Sequence, residues 1–548
     1  MRKAVYRLVV EHFRAWGIDY VFGIPGKSIS PLMIELESQE ITYVLGRHET
    51  GCGYEAGGYS LATKKLSVVI GTSGPGGTNL LTAAAQAKEF GVPVLFITGH
   101  PSAQETGRAL SQESSQFGTD LTKMFEPVTL FSAFVQRGDM LHLYLQHAVE
   151  KACMGERGPV HLCVPFDVLM EEIEPFFVPL PPQVPQTVSP NLAQIIAMMD
   201  EAKSPVLFLG KGALVSDVCE EIRTIAEHWN IPIVTAPGGK GAIPTHHPLM
   251  LGGFGLGGCD KASQYLKSGI DLMIVIGSKL CDMSLSGFTS DMYPEQVLHF
   301  DYEATFVGKS IPVPTVPVLG DVKFNLQRVV ELSGASRTIY DIPQPSRSPA
   351  QTESNEGFML AGAAFQALRS ALPHNAILFG DAGSHSFYAV QHFDIYEAGT
   401  FYLDEVFISM GAAIGYSIGA KLALPDVPVV CVTGDGCMMM HGTEISTAVN
   451  ASVPVIFVVL NNGRLDMVDK GMSYNTGVSV GAVYDNPIDI AMFARSMGAT
   501  AFRCRNEQDI MDATLVALGN HGPTVIEIMV DPLEIPPILT RLLTLDDK

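Results

Sequence analysis

The sequence predicts an α/β protein built from three doubly wound, parallel-sheet domains. Short apolar runs of strand length alternate with helical patterns along the chain, and glycine-rich loops follow several of these runs. Repeated strand–helix units form parallel sheets with helices on both faces, because the right-handed crossover packs each helix back onto the sheet. Functional residues are therefore expected on the loops after the strands, where open α/β sheets bind ligands.

Length and composition fit a large globular protein. The chain has 548 residues, of which 47% are hydrophobic and 17% are charged. The net charge of −22 argues against a nucleic-acid or anionic membrane partner, although a small anionic substrate stays open. The nine scattered cysteines include no CxxC pair, which predicts buried thiols in a reducing compartment. We find neither a signal peptide nor an apolar run of membrane-spanning length, and therefore expect a cytoplasmic protein.

The first domain is assigned to residues 1–172. A helix is predicted over 4–16, and strands over 20–22, 41–45, 67–71 and 92–98. Glu49 follows the second strand and opens a helix, which fits a site residue but also a partner of the helix dipole. From the residues alone, the second interpretation is favoured.

Two linkers are predicted on either side of a central domain, which is assigned to residues 190–335. The first is rich in proline, at positions 175, 179, 181, 182, 185 and 190, and the second is the polar stretch 336–356. Central strands are predicted within 204–214, 231–237, 271–280 and 297–303. Residues 253–258 match GxGxxG by letter but lack a clear preceding strand, so a nicotinamide site is disfavoured.

The third domain, residues 357–548, contains a strand–helix–strand unit that predicts a metal–diphosphate site. The apolar run 429–432 leads to Gly434, Asp435 and Gly436, and the run 453–460 leads to Asn461 and Asn462. A parallel crossover would bring Asp435 and Asn462 together. One carboxylate and one amide suit Mg²⁺ and leave positions for a diphosphate, which the glycine backbone can approach. For GDG alone, a tight turn is the simpler interpretation.

These segments resemble the thiamine diphosphate (ThDP) enzymes of the acetolactate synthase and pyruvate decarboxylase superfamily. The third-domain match is the GDG…NN stretch, and the first-domain match is RHETGCGYEAGGYSLAT followed by TSGPGGTN. The resemblance covers essentially the whole chain. It implies an N-terminal PYR domain for the aminopyrimidine ring, a central Rossmann-like domain, and a C-terminal PP domain for the diphosphate and Mg²⁺.

The resemblance also implies which residues lie at the cofactor. Mg²⁺ would be bound by Asp435, Asn462 and the backbone carbonyl of Arg464. The further cofactor-binding positions are Ile24, Pro25, Gly26, Pro75 and Asn79 in the PYR domain, and Gly383, Ser384, His385, Met410, Gly434, Gly436, Cys437 and Leu465 in the PP domain. Met410 stands where a bulky apolar side chain supports the bent cofactor, although methionine is usually core filler.

Three catalytic assignments follow from the resemblance. The family's glutamate, here Glu49, hydrogen-bonds N1′ of the aminopyrimidine ring and promotes removal of the thiazolium C2 proton. Gln112 keeps the family position that reaches the cofactor, while the aromatic residue of the family's F-Q-E segment is replaced by Ser111. Lys27 stands where acetolactate synthases commonly have glycine. It is either a ligand for a substrate anion or a solvated loop lysine.

The implied reaction is decarboxylation of pyruvate or a related 2-oxo acid, followed by carboligation. The open alternatives are a non-ligating decarboxylase, which the lack of a His-His pair in the PYR domain weakens, and an FAD-containing oxidase of the same family. FAD is disfavoured because the family's arginine-bearing segment reads GSKLCDM here. A non-catalytic relative should have lost Glu49, Asp435 or Asn462. The resemblance further implies a homodimer or homotetramer with the site between subunits.

Overall fold

The computed structural model describes residues 2–182, 187–334 and 354–537, which form three α/β domains in chain order. Each domain contains one six-stranded sheet, and all strand pairs within these three sheets are parallel. The predicted fold class is therefore confirmed. Pro185 of the first predicted linker and most of the second linker lie outside the described residues.

The first domain has its sheet in the order β3-β2-β4-β5-β7-β6. Its strands are β1 (Lys3–Ala4), β2 (Tyr20–Gly23), β3 (Thr42–Leu45), β4 (Ser67–Gly71), β5 (Val94–His100), β6 (Phe131–Phe134), β7 (Val160–Pro165) and β8 (Glu172–Ile173), the first and last forming a separate antiparallel pair. Its helices are α1 (Val5–Ala15), α2 (Ser30–Ser38), α3 (Glu49–Thr63), α4 (Pro75–Asn79), α5 (Leu81–Phe90), α6 (Leu121–Phe125), α7 (Leu141–Cys153) and α8 (Phe166–Met170).

The central domain has its sheet in the order β11-β10-β9-β12-β13-β14. Its strands are β9 (Pro205–Leu209), β10 (Ile233–Thr235), β11 (Met250–Gly253), β12 (Leu272–Ile276), β13 (Gln296–Asp301) and β14 (Thr315–Leu319). Its helices are α9 (Leu192–Glu201), α10 (Gly212–Val215), α11 (Cys219–Trp229), α12 (Asp260–Leu266) and α13 (Val322–Leu332). Strand β11 precedes the GxGxxG letters, and the prediction that no clear strand stands before them was therefore wrong. This strand lies at the edge of the sheet, away from the position where the strand order reverses.

The third domain has its sheet in the order β16-β15-β17-β18-β20-β19. Its strands are β15 (Ile377–Gly380), β16 (Phe401–Leu403), β17 (Val429–Gly434), β18 (Ile456–Asn461), β19 (Thr500–Cys504) and β20 (Thr524–Met529). Its helices are α14 (Ala361–Ala371), α15 (Ser384–His392), α16 (Ala412–Ala423), α17 (Asp435–His441), α18 (Ile445–Asn450), α19 (Asp466–Thr476), α20 (Ile490–Ser496) and α21 (Glu507–Gly519).

Each sheet has a switch point, which is the gap between two neighbouring strands whose connections leave in opposite directions. It lies between β2 and β4 in the first domain, between β9 and β12 in the central domain, and between β15 and β17 in the third. Ligands of open α/β sheets bind at the carboxyl ends of the strands beside this gap. The fold therefore offers three candidate crevices, one in each domain.

The first and third domains pack through helices α3 and α16. A Cβ atom at Gly58 would overlap the carbonyl oxygen of Tyr416, and one at Gly419 would overlap the carbonyl oxygen of Glu55. Glycine at these positions lets the two helix backbones touch, and one hydrophobic cluster continues through both domains. None of the helices in the described parts of the chain has the length and apolarity that crossing a bilayer requires.

Candidate active site

A cavity of about 240 Å³ lies at the switch point of the third domain. All the residues that line it belong to that domain, and most of them follow the carboxyl ends of β15, β17 and β18, with Met410 after β16 and Val530 after β20. All of the predicted cofactor positions of this domain are among them: Gly383, Ser384, His385, Met410, Gly434, Asp435, Gly436, Cys437, Asn462, Arg464 and Leu465. The parallel sheet thus gathers residues that are far apart in the sequence around one space.

Asp435 is held at the end of β17 by the neighbouring loop. Its Oδ1 accepts a hydrogen bond from the backbone N–H of Gly436, and its Oδ2 accepts one from the N–H of Gly463, both at 2.8 Å. Since β17 and β18 pair in register, Asp435 and Asn462 follow adjacent strand ends. Burial raises the pKa of Asp435 to about 6. A cation beside this carboxylate would offset the cost of burying its charge.

The amide of Asn462 has a fixed orientation in the cavity wall. Its Nδ2 donates to Oδ1 of Asp466 at 3.0 Å, which leaves the amide oxygen as the available ligand. The described residues contain no group of three or more His, Cys, Asp or Glu side chains placed to hold a metal. A Mg²⁺ ion here would therefore need the amide oxygen, a backbone carbonyl and oxygens of its ligand, as hard cations often do.

Helix α15 begins at the cavity with polar groups that lack partners. Within the described chain, neither Oγ of Ser384 nor Nε2 of His385 has a hydrogen-bond partner, although both atoms are buried. Burial lowers the pKa of His385 to about 4, so the ring is neutral at physiological pH. Together with the free N–H groups of the helix N-terminus, these atoms form a cradle that suits an anion such as a diphosphate.

Two glycines keep the cavity open. A Cβ at Gly436 would overlap the side chain of Leu465 and lie 3.5 Å from Cε of Met410. At Gly383 the backbone has φ +148°, and a Cβ would lie 2.7 Å from Cε1 of His385. Any side chain at either position would fill the space that a ligand needs, so the residues present fit a bound diphosphate.

Met410 is positioned by Asp381, a residue that the sequence analysis missed. Oδ1 of Asp381 accepts from the N–H of Gly411 and Oδ2 from Oγ1 of Thr433, both at 2.8 Å. Burial raises the pKa of this carboxyl to about 6. The signal in the sequence was the Gly380-Asp381 pair directly after the apolar run 376–379, the same arrangement as at Asp435.

Arg464 and Cys437 contribute to the wall in different ways. The guanidinium of Arg464 is paired with Asp469 at 2.8 Å, so its side chain is engaged elsewhere and only its backbone is available. The thiol of Cys437 donates to the carbonyl of Ala382 at 3.1 Å, and burial raises its pKa well above the usual range. A protonated, hydrogen-bonded thiol is structural rather than nucleophilic.

The first-domain residues form a second group at the switch point between β2 and β4. Glu49 is buried at the start of α3, and its Oε2 accepts from Nδ2 of Asn79 at 2.9 Å. Pro75 and Asn79 are the first and last residues of α4, which follows β4. Ile24, Pro25 and Gly26 follow β2, where a Cβ at Gly26 would overlap Thr72. The loops after both strands therefore meet beside Glu49.

Gln112 and Lys27 lie at the exposed edge of this first-domain group. Gln112 has φ +56°, a left-handed conformation that is uncommon outside glycine and asparagine. Its Oε1 is 3.4 Å from Oγ of Ser73 and 3.5 Å from Oγ1 of Thr72, which are long hydrogen bonds. Lys27 is exposed on the 3₁₀ turn Lys27–Ile29. Both side chains are accessible to a ligand that enters from the surface.

The two groups do not share one cavity within a single chain. Of the residues that the structure describes, none from the first domain lines the third-domain cavity. The contact between the domains lies elsewhere, where the carboxylate of Glu444 accepts from the N–H groups of Arg47 and His48 at 2.9–3.2 Å. Glu49 and Asp435 therefore belong to separate half-sites.

The crevice of the central domain is filled by the protein itself. Its two loops touch backbone to backbone, with the N–H of Gly212 donating to the carbonyl of Gly277 at 2.8 Å. The lysine on each loop pairs with a carboxylate of another domain: Lys211 with Asp404 at 2.5 Å and Lys279 with Glu89 at 2.8 Å. The two ion pairs and the backbone contact therefore occupy the space at this switch point.

Comparison with known protein families identifies a matching family model for each of the three domains. Three family models match in order: the thiamine pyrophosphate enzyme N-terminal TPP binding domain over residues 3–121, the central domain over 192–329, and the C-terminal TPP binding domain over 381–528. Thiamine pyrophosphate is another name for ThDP. The two TPP binding models cover the two half-sites described above.

Curated relatives match the chain over nearly its full length. The acetolactate synthase large subunit of Corynebacterium glutamicum is 31% identical, over 96% of this chain and 86% of that protein. Acetolactate synthase of Mycobacterium bovis is 30% identical, over 95% and 87%, respectively. The acetolactate synthase isozyme 1 large subunit of Escherichia coli is 30% identical, over 96% and 94%. The chain therefore belongs to the thiamine pyrophosphate enzymes, within the acetolactate synthase family.

Proposed function

We propose that this protein is a ThDP- and Mg²⁺-dependent carboligase that acts on 2-oxo acids. It decarboxylates pyruvate or a related 2-oxo acid and joins the remaining fragment to a second carbonyl compound. The observation that carries the proposal is the third-domain cavity, where Asp435 and the Asn462 amide face the unpartnered donors of α15. The full-length similarity to acetolactate synthases favours carboligation over simple decarboxylation.

Asp435, Asn462 and the backbone of Arg464 would hold Mg²⁺, and Ser384 and His385 would bind the diphosphate. When bound, ThDP supplies a carbon nucleophile and an electron sink for decarboxylation. Oγ–H of Ser384 can donate a hydrogen bond to the diphosphate, and His385, which burial keeps neutral, adds no charge to the cradle. Met410 fills the space beside Gly436 and gives the cofactor an apolar support.

Glu49 would act as the acid–base group of the first-domain half-site. The Asn79 amide occupies Oε2, which leaves Oε1 to hold and exchange a proton with the aminopyrimidine ring. Gln112 and Lys27 lie at the mouth of this half-site, and Lys27 offers a positive charge to a substrate carboxylate. Since Glu49 and Asp435 lie in separate half-sites of one chain, we propose that the complete site forms between two chains of a homodimer or homotetramer.

Three further assignments belong to the proposal. The domain boundaries are 1–172, 190–335 and 357–548, which is supported by the complete sheet within each range. The central domain takes no FAD, because both of its switch-point lysines are engaged by other domains. The cytoplasmic location remains a prediction from composition alone.

A product analysis tests the proposal. The purified protein is incubated with ThDP, Mg²⁺ and pyruvate, and CO₂, acetolactate, acetaldehyde and hydrogen peroxide are quantified. We expect acetolactate and CO₂ in about equal amounts, since carboligation converts two pyruvates into one acetolactate and one CO₂. Acetaldehyde alone would favour the decarboxylase, and peroxide would favour an oxidase. No turnover with ThDP bound would point to another 2-oxo acid as donor.

A further inference from the structure

Asp466 is a carboxylate in the cofactor cavity to which neither the family models nor the relatives' names assign a role. It is the first residue of α19 and lines the third-domain cavity. Its side chain is only 9% exposed. A carboxylate buried to this degree is costly unless its oxygens are paired, so its partners indicate what it does.

The two partners of Asp466, Asn462 and Lys470, contact the same carboxylate oxygen. Nδ2 of Asn462 donates to Oδ1 at 3.0 Å, and Nζ of Lys470, one helical turn further on, lies 2.6 Å from Oδ1. The lysine and the N-terminus of α19 both stabilise the ionised carboxylate. Within the described residues Oδ2 is buried and has no partner, so it remains an open acceptor in the cavity wall.

The hydrogen bond to Asp466 determines which end of the Asn462 amide faces the cavity. An amide has a donor end and an acceptor end, and an ionised carboxylate can only accept. The NH₂ group must therefore point at Asp466, and the amide oxygen points away from it. Without this acceptor the amide could rotate and present its NH₂ group, which repels a cation instead of binding it.

We propose that Asp466 is a positioning residue for the metal site, which holds the Asn462 amide with its oxygen available to the cation. This inference rests on the proposed function, because it requires that Asn462 is a metal ligand. Residues that orient metal ligands in this way typically contribute about 10–100-fold to metal affinity. The effect is expected on metal binding first and on turnover only through it.

The test measures Mn²⁺ binding in the presence of ThDP, by the electron paramagnetic resonance signal of free Mn²⁺. Asp466→Ala should weaken Mn²⁺ binding about 10–100-fold. Asp466→Asn keeps an oxygen acceptor for Nδ2 of Asn462 and should stay close to wild type. The matched control is Lys470→Met, which removes the other partner of Oδ1, keeps the hydrogen bond between Asp466 and Asn462, and should not weaken binding.

A second readout separates positioning from a general structural role. In Asp466→Ala, activity should fall at limiting Mg²⁺ and return to near the wild-type kcat at saturating Mg²⁺, because a positioning residue changes the metal affinity and leaves the loaded site intact. If the alanine variant does not fold, Asp466→Leu, which is similar in size and lacks an acceptor, replaces it with the same expectation.

Three results would overturn the inference. Wild-type Mn²⁺ affinity in Asp466→Ala would show that the hydrogen bond is unnecessary. Equal losses in the alanine and asparagine variants would assign the effect to charge rather than to amide orientation. Failure of the wild-type protein to bind Mn²⁺ in the presence of ThDP would refute the proposed metal site and the inference together. The first two results leave wild-type Mn²⁺ binding intact and refute the inference alone, so the two failures can be distinguished.

Discussion

The buried carboxyl of Glu49 has one oxygen engaged by Asn79, and its other oxygen accepts no hydrogen bond from the residues that the structure describes. Glu49→Gln keeps the size and the hydrogen-bonding capacity of the side chain but cannot exchange a proton. We expect the variant to bind ThDP normally and to lose about 10²–10⁴-fold in turnover, the usual contribution of an acid–base group. ThDP binding by fluorescence titration and turnover of pyruvate check this. Full activity in the variant would remove Glu49 from the mechanism.

A second buried carboxyl, Glu405, predicts a pH-dependent stability. Burial raises its pKa to about 7, and its Oε2 accepts from the N–H of Gly238 at 3.1 Å. Because the folded pKa lies above the unfolded value, the folded state binds the extra proton between about pH 4.5 and 7, and stability falls as pH rises through this window, by about 3 kcal/mol in total.

Glu405→Gln removes this titration and keeps an acceptor for Gly238. We expect the variant to be more stable than wild type at pH 8 and to lose that advantage at pH 5, as measured by unfolding midpoints at both values. Glu40→Gln, at an exposed position, is the control and should show no such dependence. An equal difference at both pH values would contradict the prediction.

At the scale of elements, the crossing of α3 and α16 depends on the absence of side chains. A Cβ at Gly419 would overlap the carbonyl oxygen of Glu55. We expect Gly419→Ala to destabilise the protein by about 1–3 kcal/mol or more, since overpacking forces the backbones apart. Gly471→Ala, within α19, is the matched control because a Cβ there meets no atom within 4 Å.

The control substitution should stabilise the protein by about 0.5–1 kcal/mol, the ordinary gain from alanine over glycine in a helix. Thermal unfolding of both variants separates the two expectations. A neutral or stabilising Gly419→Ala would mean that the helices cross with more space than the described backbone contact allows.

The element boundaries show where sequence patterns predict the ends of helices and strands correctly, and where tertiary packing sets those ends instead. Strand β4 has the predicted bounds 67–71, because a fully buried parallel strand is a continuous apolar run that ends in a glycine-rich loop. The single predicted helix after Asp435 is instead divided into α17, the 3₁₀ turn Gly442–Glu444, and α18. The division lies where Glu444 accepts backbone hydrogen bonds from the first domain, a contact that periodicity does not report.

At the scale of the whole molecule, the separation of the half-sites predicts complementation between chains. Glu49→Gln and Asp435→Ala should each be inactive alone. In a mixed dimer, one site carries both substitutions and the other carries neither. If chains exchange freely, half of the dimers are mixed, and about a quarter of the sites regain activity.

The complementation experiment mixes the two variants under conditions that allow exchange and follows turnover of pyruvate. Tagged chains confirm by co-purification that mixed dimers have formed. The control mixes Asp435→Ala with an Asn462→Ala variant, which lies in the same half-site and should restore nothing. No recovery in verified mixed dimers would place Glu49 and Asp435 in a site of one chain.

The central domain stabilises the arrangement of the other two. Lys211 and Gln86 both contact the carboxylate of Asp404, which also accepts from the backbone N–H groups of residues 406–408. Burial alone would raise the pKa of Asp404, but the Lys211 charge and these hydrogen bonds lower it well below its usual range. The switch point of the central domain thus holds the loop that leads to Met410.

The sequence by itself determined the fold class, the family and thiamine diphosphate as the cofactor, because strand periodicity and the motifs at strand ends are local features. It did not reveal Asp381, Asp466 or Asp404, whose roles depend on contacts with particular atoms of distant residues. These contacts depend on the tertiary structure, and so does the separation of Glu49 from Asp435 within one chain. The physical reason is that such contacts depend on how sheets and helices pack, down to the missing Cβ at Gly419, and no local pattern encodes that geometry.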